Sequence, residues 1–479
     1  MTHSFKNKLF FVFALCVISA CGSDGGSSDA GTDTDFVPTP SCSQGQLLCD
    51  NSCVSCPESS GVSSFECSSG TCVIAQCAAN HVQCSTGCCE TFPNEGITAE
   101  GGADIFFIPN TFSAEIDLDS LDNIHYISTE TFTQPIGTSL NTGEYALSYV
   151  RLEGTEYKRT LLQVAAGSIG RIQFIVDPSD VSHAFYARNG DNAVWNPIVP
   201  ILHHSYRTGT ESWTDEVMFS GAEYENMGMG LSLAQDTDGK FHLAYFYAPS
   251  VNYPWGNEQL YYLTGTAKTP GPGYDWASPV LLAGGLTVSD SSQTRIAVQA
   301  GTVYVMYNDE APEGYGSLLL RTRTSGTWSN AEYVVFGDEE YTASGAFDML
   351  VDEAGTIHVI FSDPTHDQIV YTWRPAGDSN WYYEQVDDWC GIGAQYGMQL
   401  GMDSAGTLYA AYASCRLNTM AYFSKRNGPG DWEGFPVDAT RPTGGIRLAL
   451  DSDKNPHILY ETVIPNPESP VVHRMIHKY

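Results

Sequence analysis

Between Leu231 and Leu282 apolar and polar residues alternate in short runs separated by turn-forming residues. Leu231-Ser-Leu-Ala-Gln235 has the period of two expected of a strand with one buried face. Asp236-Thr-Asp-Gly239 reads as a tight turn. An Asp carboxylate at the first position accepts backbone N–H groups, and Gly at the fourth tolerates positive φ. Phe241-His-Leu-Ala-Tyr-Phe-Tyr247 is a second strand, apolar on both faces, which suits a sheet packed on both sides. Gln259–Thr264 and Trp276–Leu282 supply a third and a fourth. The pattern predicts four antiparallel strands in roughly fifty residues.

The same phrase recurs along the chain. The turn and the marker residue that follows it appear as Asp119 to His125, Asp177 to His183, Asp236 to His242 and Gln299 to Tyr304. They continue as Asp352 to His358, Asp403 to Tyr409 and Asp451 to His457. Successive markers lie 58, 59, 62, 54, 51 and 48 residues apart. Repeats of that length, each holding several short strands, predict a β-propeller. The expected fold class is all-β, a seven-bladed β-propeller of four-stranded antiparallel blades preceded by a small disulfide-rich module. The last copy supplies Ile446–Leu450, His457–Glu461 and Val471–Lys478 and is then one strand short. An apolar segment, Ala103–Pro109, precedes the first copy. It is expected to become the outer strand of the last blade, because an unpaired strand edge invites aggregation.

Three residues past the markers stand Tyr186, Tyr245, Tyr307, Phe361, Tyr412 and Tyr460, with Ser128 in the first copy. Rings at one fixed position per repeat are expected to pack between blades. The final strands carry a leading Trp at 213, 276, 328, 381 and 432. The marker histidines 125, 183, 242, 358 and 457 hold equivalent positions in different repeats, so in a ring they point alike and lie far apart. They cannot converge on one metal ion, and each is expected to hydrogen-bond neighbouring backbone.

The N-terminal part has a different composition. Lys6 and Lys8, the apolar run Leu9–Ile18 and the small residues Ser19-Ala20 form a secretory signal, residues 1–20. Ile18-Ser-Ala-Cys21 resembles the lipobox of bacterial lipoproteins. That resemblance implies a diacylglyceryl anchor on Cys21 in the bacterial outer membrane, since Gly22 rather than Asp follows. Residues 21–40, rich in Gly, Ser, Asp and Thr, are expected to be a disordered tether. Ten cysteines then fall at 42, 49, 53, 56, 67, 72, 77, 84, 88 and 89. In an exported chain that density marks a disulfide framework, taken here as 41–97, whose pairing sequence alone does not fix. The spacing of Cys42, Cys49 and Cys53 resembles Cys-rich stalk modules of bacterial surface proteins. Residues 98–479 are assigned to the propeller. Cys390 and Cys415 flank the first two strands of the sixth repeat, at one end of a hairpin, and are expected to be bridged to each other.

Charge narrows the partners. The formal net charge is −34, and removing residues 1–20 takes away two Lys and no acid. Such a surface repels nucleic acid and anionic lipid heads. The Asp-x-Asp pairs at 236/238, 451/453 and 117/119 resemble the starts of calcium loops but lack the Glu at the twelfth position. Turn chemistry accounts for them, and no cofactor is expected, with calcium (Ca) left as an open alternative. The chain is expected to be a monomer.

The Asp-x-Gly turns of the repeats resemble those of the broad sialidase-like, or BNR-like, class of propellers. The full Ser-x-Asp-x-Gly-x-x-Trp box is absent, because His or Tyr follows the turn here. The resemblance implies three arginines around a ligand carboxylate and a Tyr–Glu pair for a sialidase, and no motif assigns three of the fourteen arginines to that role. Propeller-shaped polysaccharide lyases also carry Gly-x-x-His strands. That second resemblance makes His203, His204, Tyr206, Arg207, His366 and Arg416 candidate parts for proton transfer beside a uronate. No spacing assembles them, and fold does not imply function. Loops joining second to third strands and one repeat to the next share one face. There Tyr253, Trp255, Tyr315 and His366, flanked by Asn and Asp, offer the apolar faces and polar rims of a sugar or peptide site. The expected function is a non-catalytic binding scaffold for a glycan or protein at the cell envelope. A lyase or glycosidase in the central depression is the alternative.

Overall fold

The computed structural model describes 46–49, 52–55, 62–68, 71–77, 81–84, 87–90, 95–97 and most of 114–478. Within the last range it omits 133–143, 154–155, 167–168, 190–199, 209–211, 222–225, 249–256, 270–271, 288–292, 311–315, 337–342, 389–396, 415–419, 438–444 and 465–471. The fold is an all-β propeller of four-stranded antiparallel blades. Six blades are contiguous in sequence. The first runs Ala114–Leu118, Ile124–Phe132, Glu144–Glu153, Glu156–Ala166, and the second Ile169–Val176, Ser182–Asn189, Pro200–Arg207, Trp213–Ser220. The third is Asn226–Gln235, Phe241–Ala248, Glu258–Ala267, with an outer strand split into Tyr274–Trp276 and Val280–Leu286. The fourth is Thr294–Gln299, Thr302–Glu310, Gly316–Thr324, its outer strand split into Thr327–Trp328 and Glu332–Val335. The fifth is Ser344–Val351, Ile357–Asp363, Gln368–Arg374, Tyr382–Asp388, and the sixth Met398–Met402, Leu408–Ser414, Met420–Gly428, Asp431–Pro436.

The remaining propeller sheet is composite. Arg447–Leu450, Pro456–Ile464 and Val472–Lys478 are completed by Glu95–Ile97, with Ile97 opposite Ile476. This corrects the sequence expectation that Ala103–Pro109 would close the sheet. The closing strand comes from the stretch just after the last clustered cysteine, and 103–109 lie outside the described residues. Pairing needs only backbone N–H and C=O groups in register, so apolarity did not identify the strand. The composite sheet sits between the sixth and first blades. Ile446, Leu448, Ile458 and Tyr460 pack with Tyr409, Ala411 and Phe423, and Leu459 packs with Ala114, Ile116 and Tyr126.

Each joint between neighbouring sheets holds its own apolar cluster. Between the second and third blades it is Phe185, Leu202, Leu231, Phe241, Leu243 and Tyr245. Between the third and fourth it is Phe246, Leu260, Tyr262, Ile296, Val305 and Tyr307. The rings expected at the joints are there: Tyr186, Tyr245, Tyr307, Phe361, Tyr412 and Tyr460 are all fully buried. Burying one such side chain is worth about 1.5–3 kcal/mol, so every joint contributes several times that.

The turns are built as their residues dictate. In the third blade Asp236 Oδ1 accepts the N–H groups of Asp238 (3.0 Å) and Lys240 (2.9 Å), while its carbonyl accepts from Gly239, whose φ is +76°. Where the fourth position is not Gly, the left-handed residue is Asp122, Asp180 or Lys454. Two of these serve the joints. Asp122 accepts from the N–H (3.0 Å) and hydroxyl of Ser452, and Asp180 from the N–H and hydroxyl of Ser120, both at 2.8 Å. The turns of the composite sheet, the first blade and the second are thereby tied in sequence. The fourth repeat uses a shorter turn, with Ala300 and Gly301 both at positive φ.

Candidate functional site

The marker histidines bond to side chains, which corrects the expectation of a backbone partner. His125 Nε2 lies 3.2 Å from Asp119 Oδ2, His242 Nε2 3.1 Å from Asp236 Oδ2, and His183, His358 and His457 each 3.4 Å from the equivalent Asp. Tyr409 replaces the ring with a hydroxyl, 3.2 Å from Asp403 Oδ2. The reason is stoichiometric: the backbone N–H groups of the turn use one carboxylate oxygen and leave the other, whereas the backbone around the marker is already spent in strand pairing. On the far side, Nδ1 of His125, His242 and His358 meets the hydroxyl of Tyr149, Tyr262 and Tyr371 at 2.6–2.7 Å. Burial pulls these three histidines below their ordinary pKa, against the pull of the Asp. They are thus neutral, donate from Nε2 and accept the tyrosine O–H at Nδ1. Burial would push the carboxyls up, but hydrogen bonds from turn and histidine hold Asp119, Asp236 and Asp451 below the usual range. These arrays fasten strands together and leave no group for a ligand.

The chemistry near the axis comes from another fixed position. Four residues before the first turn residue of each repeat stand Glu115, Gln173, Ser232, Arg295, Asp348, Gln399 and Arg447, on the innermost strands. All are polar, and their contacts run from sheet to sheet. Gln173 Nε2 donates to Glu115 Oε1 (3.1 Å), and Arg447 Nε pairs with Glu115 Oε2 (2.8 Å). Arg295 Nε pairs with Asp348 Oδ1 (2.5 Å), whose Oδ2 accepts the Leu400 N–H (2.8 Å). Gln399 Oε1 accepts the Leu448 N–H (2.9 Å). One layer along, Asp117 accepts from the N–H groups of Val176 (2.7 Å) and Leu118 (2.9 Å). Burial, outweighing those bonds and helped by Glu115, pushes Asp117 up to about 6. Two ion pairs balance the charges of this belt.

Arg171 adds a third guanidinium near this belt. It lies two residues nearer the start of its inner strand than Gln173, at the end of the ring that carries the loops between second and third strands. The matching positions in other sheets are Gly230, Gln293, Ala346, Gly397 and Gly445, four of them small. The space is used: a Cβ at Gly397 or Gly445 would sit 3.1 Å from Arg447 Nη1. Arg171 keeps part of its surface accessible although it lies deep in the ring. Burial first, then the positive charges of Arg295 and Arg447, pull its guanidinium down to about 9, with Glu115 opposing. It remains charged at neutral pH, a cation on the axis of a chain whose net charge is −34. Three arginines from separate sheets therefore feel one another there. Sequence reading missed this group because no local motif links residues 171, 295 and 447. The polar residue at a constant offset from each turn was the available signal.

The residues nominated from sequence fare unevenly. His366 is on the described part of the loop face: its Nδ1 donates to Oδ2 of fully buried Asp363 (2.8 Å), and the ring is about two-fifths exposed. Tyr253, Trp255, Tyr315, Cys21, Cys390, Cys415 and Arg416 lie outside the described residues, and nothing is described of the side chains of the clustered cysteines. The lyase candidates are not gathered. His203, His204 and Tyr206 are buried inside the second blade, and Arg207 reaches Tyr149 at 3.5 Å. His203 donates to Asp215 at 2.9 Å. The oxygens of Asp236 and Asp451 are occupied by turn N–H groups and by His242 and His457.

No protein-family model and no curated protein sequence matches the chain. Among solved structures it is similar to a Dyadobacter fermentans protein of unknown function, with 10% identity and a TM-score of 0.40, covering 78% of this chain and 97% of that one. It is also similar to an α-L-arabinanase of Penicillium chrysogenum complexed with arabinobiose (11%, 0.45, 72% and 99%). A third likeness is to an ulvan lyase bound to a GlcA–Rha3S oligosaccharide (12%, 0.46, 80% and 95%). Likeness at this level transfers neither residues nor activity, so the functional reading rests on the residues of this chain.

Proposed function

We propose that this chain is a cell-envelope lipoprotein, anchored through Cys21 in the bacterial outer membrane. Its propeller, counted as seven blades with the composite sheet, acts as a non-catalytic scaffold for an anionic glycan or an acidic segment of a protein. The observation that carries the reading is Arg171, a partly accessible cation on the axis of a strongly acidic molecule, backed by Arg295 and Arg447. A carboxylate or sulfate entering from the loop face gains charge-assisted hydrogen bonds where the surrounding surface repels it, so the site selects position as well as charge. His366, held by Asp363, supplies a polar contact on the same face. The ion pairs Arg295–Asp348 and Arg447–Glu115 support binding rather than turnover, since these carboxylates are engaged with arginines.

The test presents the protein to neutral and anionic polysaccharides and scores retention and product formation together. Retention of anionic polymers without products, lost at least tenfold in Arg171→Gln, is expected. Release of unsaturated or reducing-end products refutes the scaffold reading in favour of a lyase or glycosidase. Retention indifferent to Arg171→Gln removes the axial site. Fatty-acid labelling that survives Cys21→Ser rules out the anchor.

A further inference from the structure

The second blade carries a variant of the histidine array. Its marker His183 meets Asp177 Oδ2 through Nε2 at 3.4 Å, as in the other sheets. Its Nδ1, however, faces His204 Nε2 at 3.0 Å, and His204 Nδ1 faces Glu216 Oε1 at 2.9 Å. His204 lies opposite Phe185, two residues past the marker. Tyr149, Tyr262 and Tyr371 lie opposite the matching residues Ile127, Ala244 and Ile360. One imidazole has thus taken the place of a phenol, and the chain of contacts has grown by one link.

That replacement changes the proton count. An Asp–His–Tyr array has two contacts, and a neutral histidine and a tyrosine bring two protons, so it is complete. Asp177–His183–His204–Glu216 has three contacts, and two neutral imidazoles bring two protons. With both carboxylates ionised, one contact would set two lone pairs against each other inside a buried cluster, at a cost typical of an unsatisfied polar pair. We propose that the His183–His204 pair is a proton-binding site that holds one extra proton between Asp177 and Glu216 and clamps the second blade to the third.

The surroundings fit a single added charge. Both rings are buried, near-parallel with centroids 5.2 Å apart so that they meet edge to edge, and enclosed by Phe185, Phe241 and Trp276. The charged and titratable groups facing them are Asp177 from the turn, Asp215 and Glu216 from the outer strand, Tyr206, and Tyr274 from the third blade. Lys268 reaches the same corner, its Nζ lying 3.5 Å from where a Cβ on Gly273 would stand, beside Glu216. Carboxylates outnumber cations, so one proton is welcome. A second is refused: burial, then the charge of His183, pull His204 down to about 4 against Glu216. Glu216 passes the effect on, because it also accepts the Trp276 indole N–H (3.1 Å) and the Tyr274 backbone N–H (3.4 Å), both from the next blade.

The second proton carries a pH dependence of definite sign. The second proton, taken up freely by an unfolded histidine near pH ~6.5 but refused by His204 until about 4, costs stability as pH falls through that window.

The experiment labels histidine rings of the full chain with 15N and follows ring 15N and 1H shifts with pH. One imidazole of the pair protonated on both nitrogens at neutral pH, with a strongly downfield ring proton, is expected. His204→Tyr should rebuild the two-contact array found at His125, His242 and His358 and remove that signal. Glu216→Gln, a milder change should the tyrosine variant fail to fold, should move loss of the signal about 1–3 pH units lower. Two neutral rings in the wild-type pair at neutral pH, or a signal unmoved by Glu216→Gln, overturns the proposal.

Discussion

Gly265→Ala is the sharpest test of the packing argument. Gly265 lies on the third strand of the third blade, opposite Trp276 of the split outer strand. A Cβ there would stand 2.3 Å from Trp276 Cζ3, 2.5 Å from Cη2 and 2.6 Å from Cε3. The indole cannot slide away freely, because its N–H donates to Glu216 at 3.1 Å and its edge rests on His204 and Phe185. If the ring leaves, a hydrogen bond to a charged acceptor goes with it, about 1.5–3 kcal/mol. If the strand yields instead, overpacking costs about 1–3 kcal/mol. Either route outweighs the ~0.4–1 kcal/mol that Ala gains by restricting the unfolded chain. A net loss of about 1–2 kcal/mol is expected, read as a lower urea midpoint by tryptophan fluorescence with the slope unchanged. Gly284→Ala is the control, since its Cβ would meet only Gln259 Cγ, at 3.8 Å. It should lie within about 0.5 kcal/mol of the wild type. Equal midpoints for the two variants would refute the steric account of Gly265.

Two further outcomes are expected. Tyr262→Phe and Tyr371→Phe each strip the donor from a buried histidine Nδ1 at 2.6–2.7 Å and should cost about 1–3 kcal/mol in urea unfolding, whereas Tyr333→Phe on the exposed rim should cost nothing measurable. A chain beginning at residue 94 keeps the closing strand and should remain soluble, while one beginning at residue 100 exposes the edge of Val472–Lys478 and should aggregate on light scattering. Equal solubility of the two would show that Glu95–Ile97 does not protect that edge.

The blade was legible in the sequence because its information is local. Each repeat carries its own alternation, Asp turn and joint aromatic, and period-two patterning assigns faces without knowledge of the neighbours. Tyr245 and Phe361 could be placed in the joints from their offset alone. The closing strand was not legible. Glu95–Ile97 is three residues long, follows a Cys-rich stretch, and is defined by pairing with Val472–Lys478 at the other end of the chain. The histidine partners were half legible: equivalence excluded a shared metal ion, but the second oxygen of the turn carboxylate becomes available only once the turn has closed.

By itself, then, the sequence determined the elements, their antiparallel order and the residues at the joints, since each follows from patterns within about fifty residues. Tertiary structure decided what meets across sheets. Arg171, Arg295 and Arg447 share a field, and Glu115 joins Gln173 to Arg447, only because ring closure brings innermost strands far apart in sequence to one axis. His204 differs from Tyr149, Tyr262 and Tyr371 by one side chain in the sequence. The fold makes that change a matter of proton count by enclosing it between His183 and Glu216, out of reach of water that would otherwise supply the missing hydrogen bond.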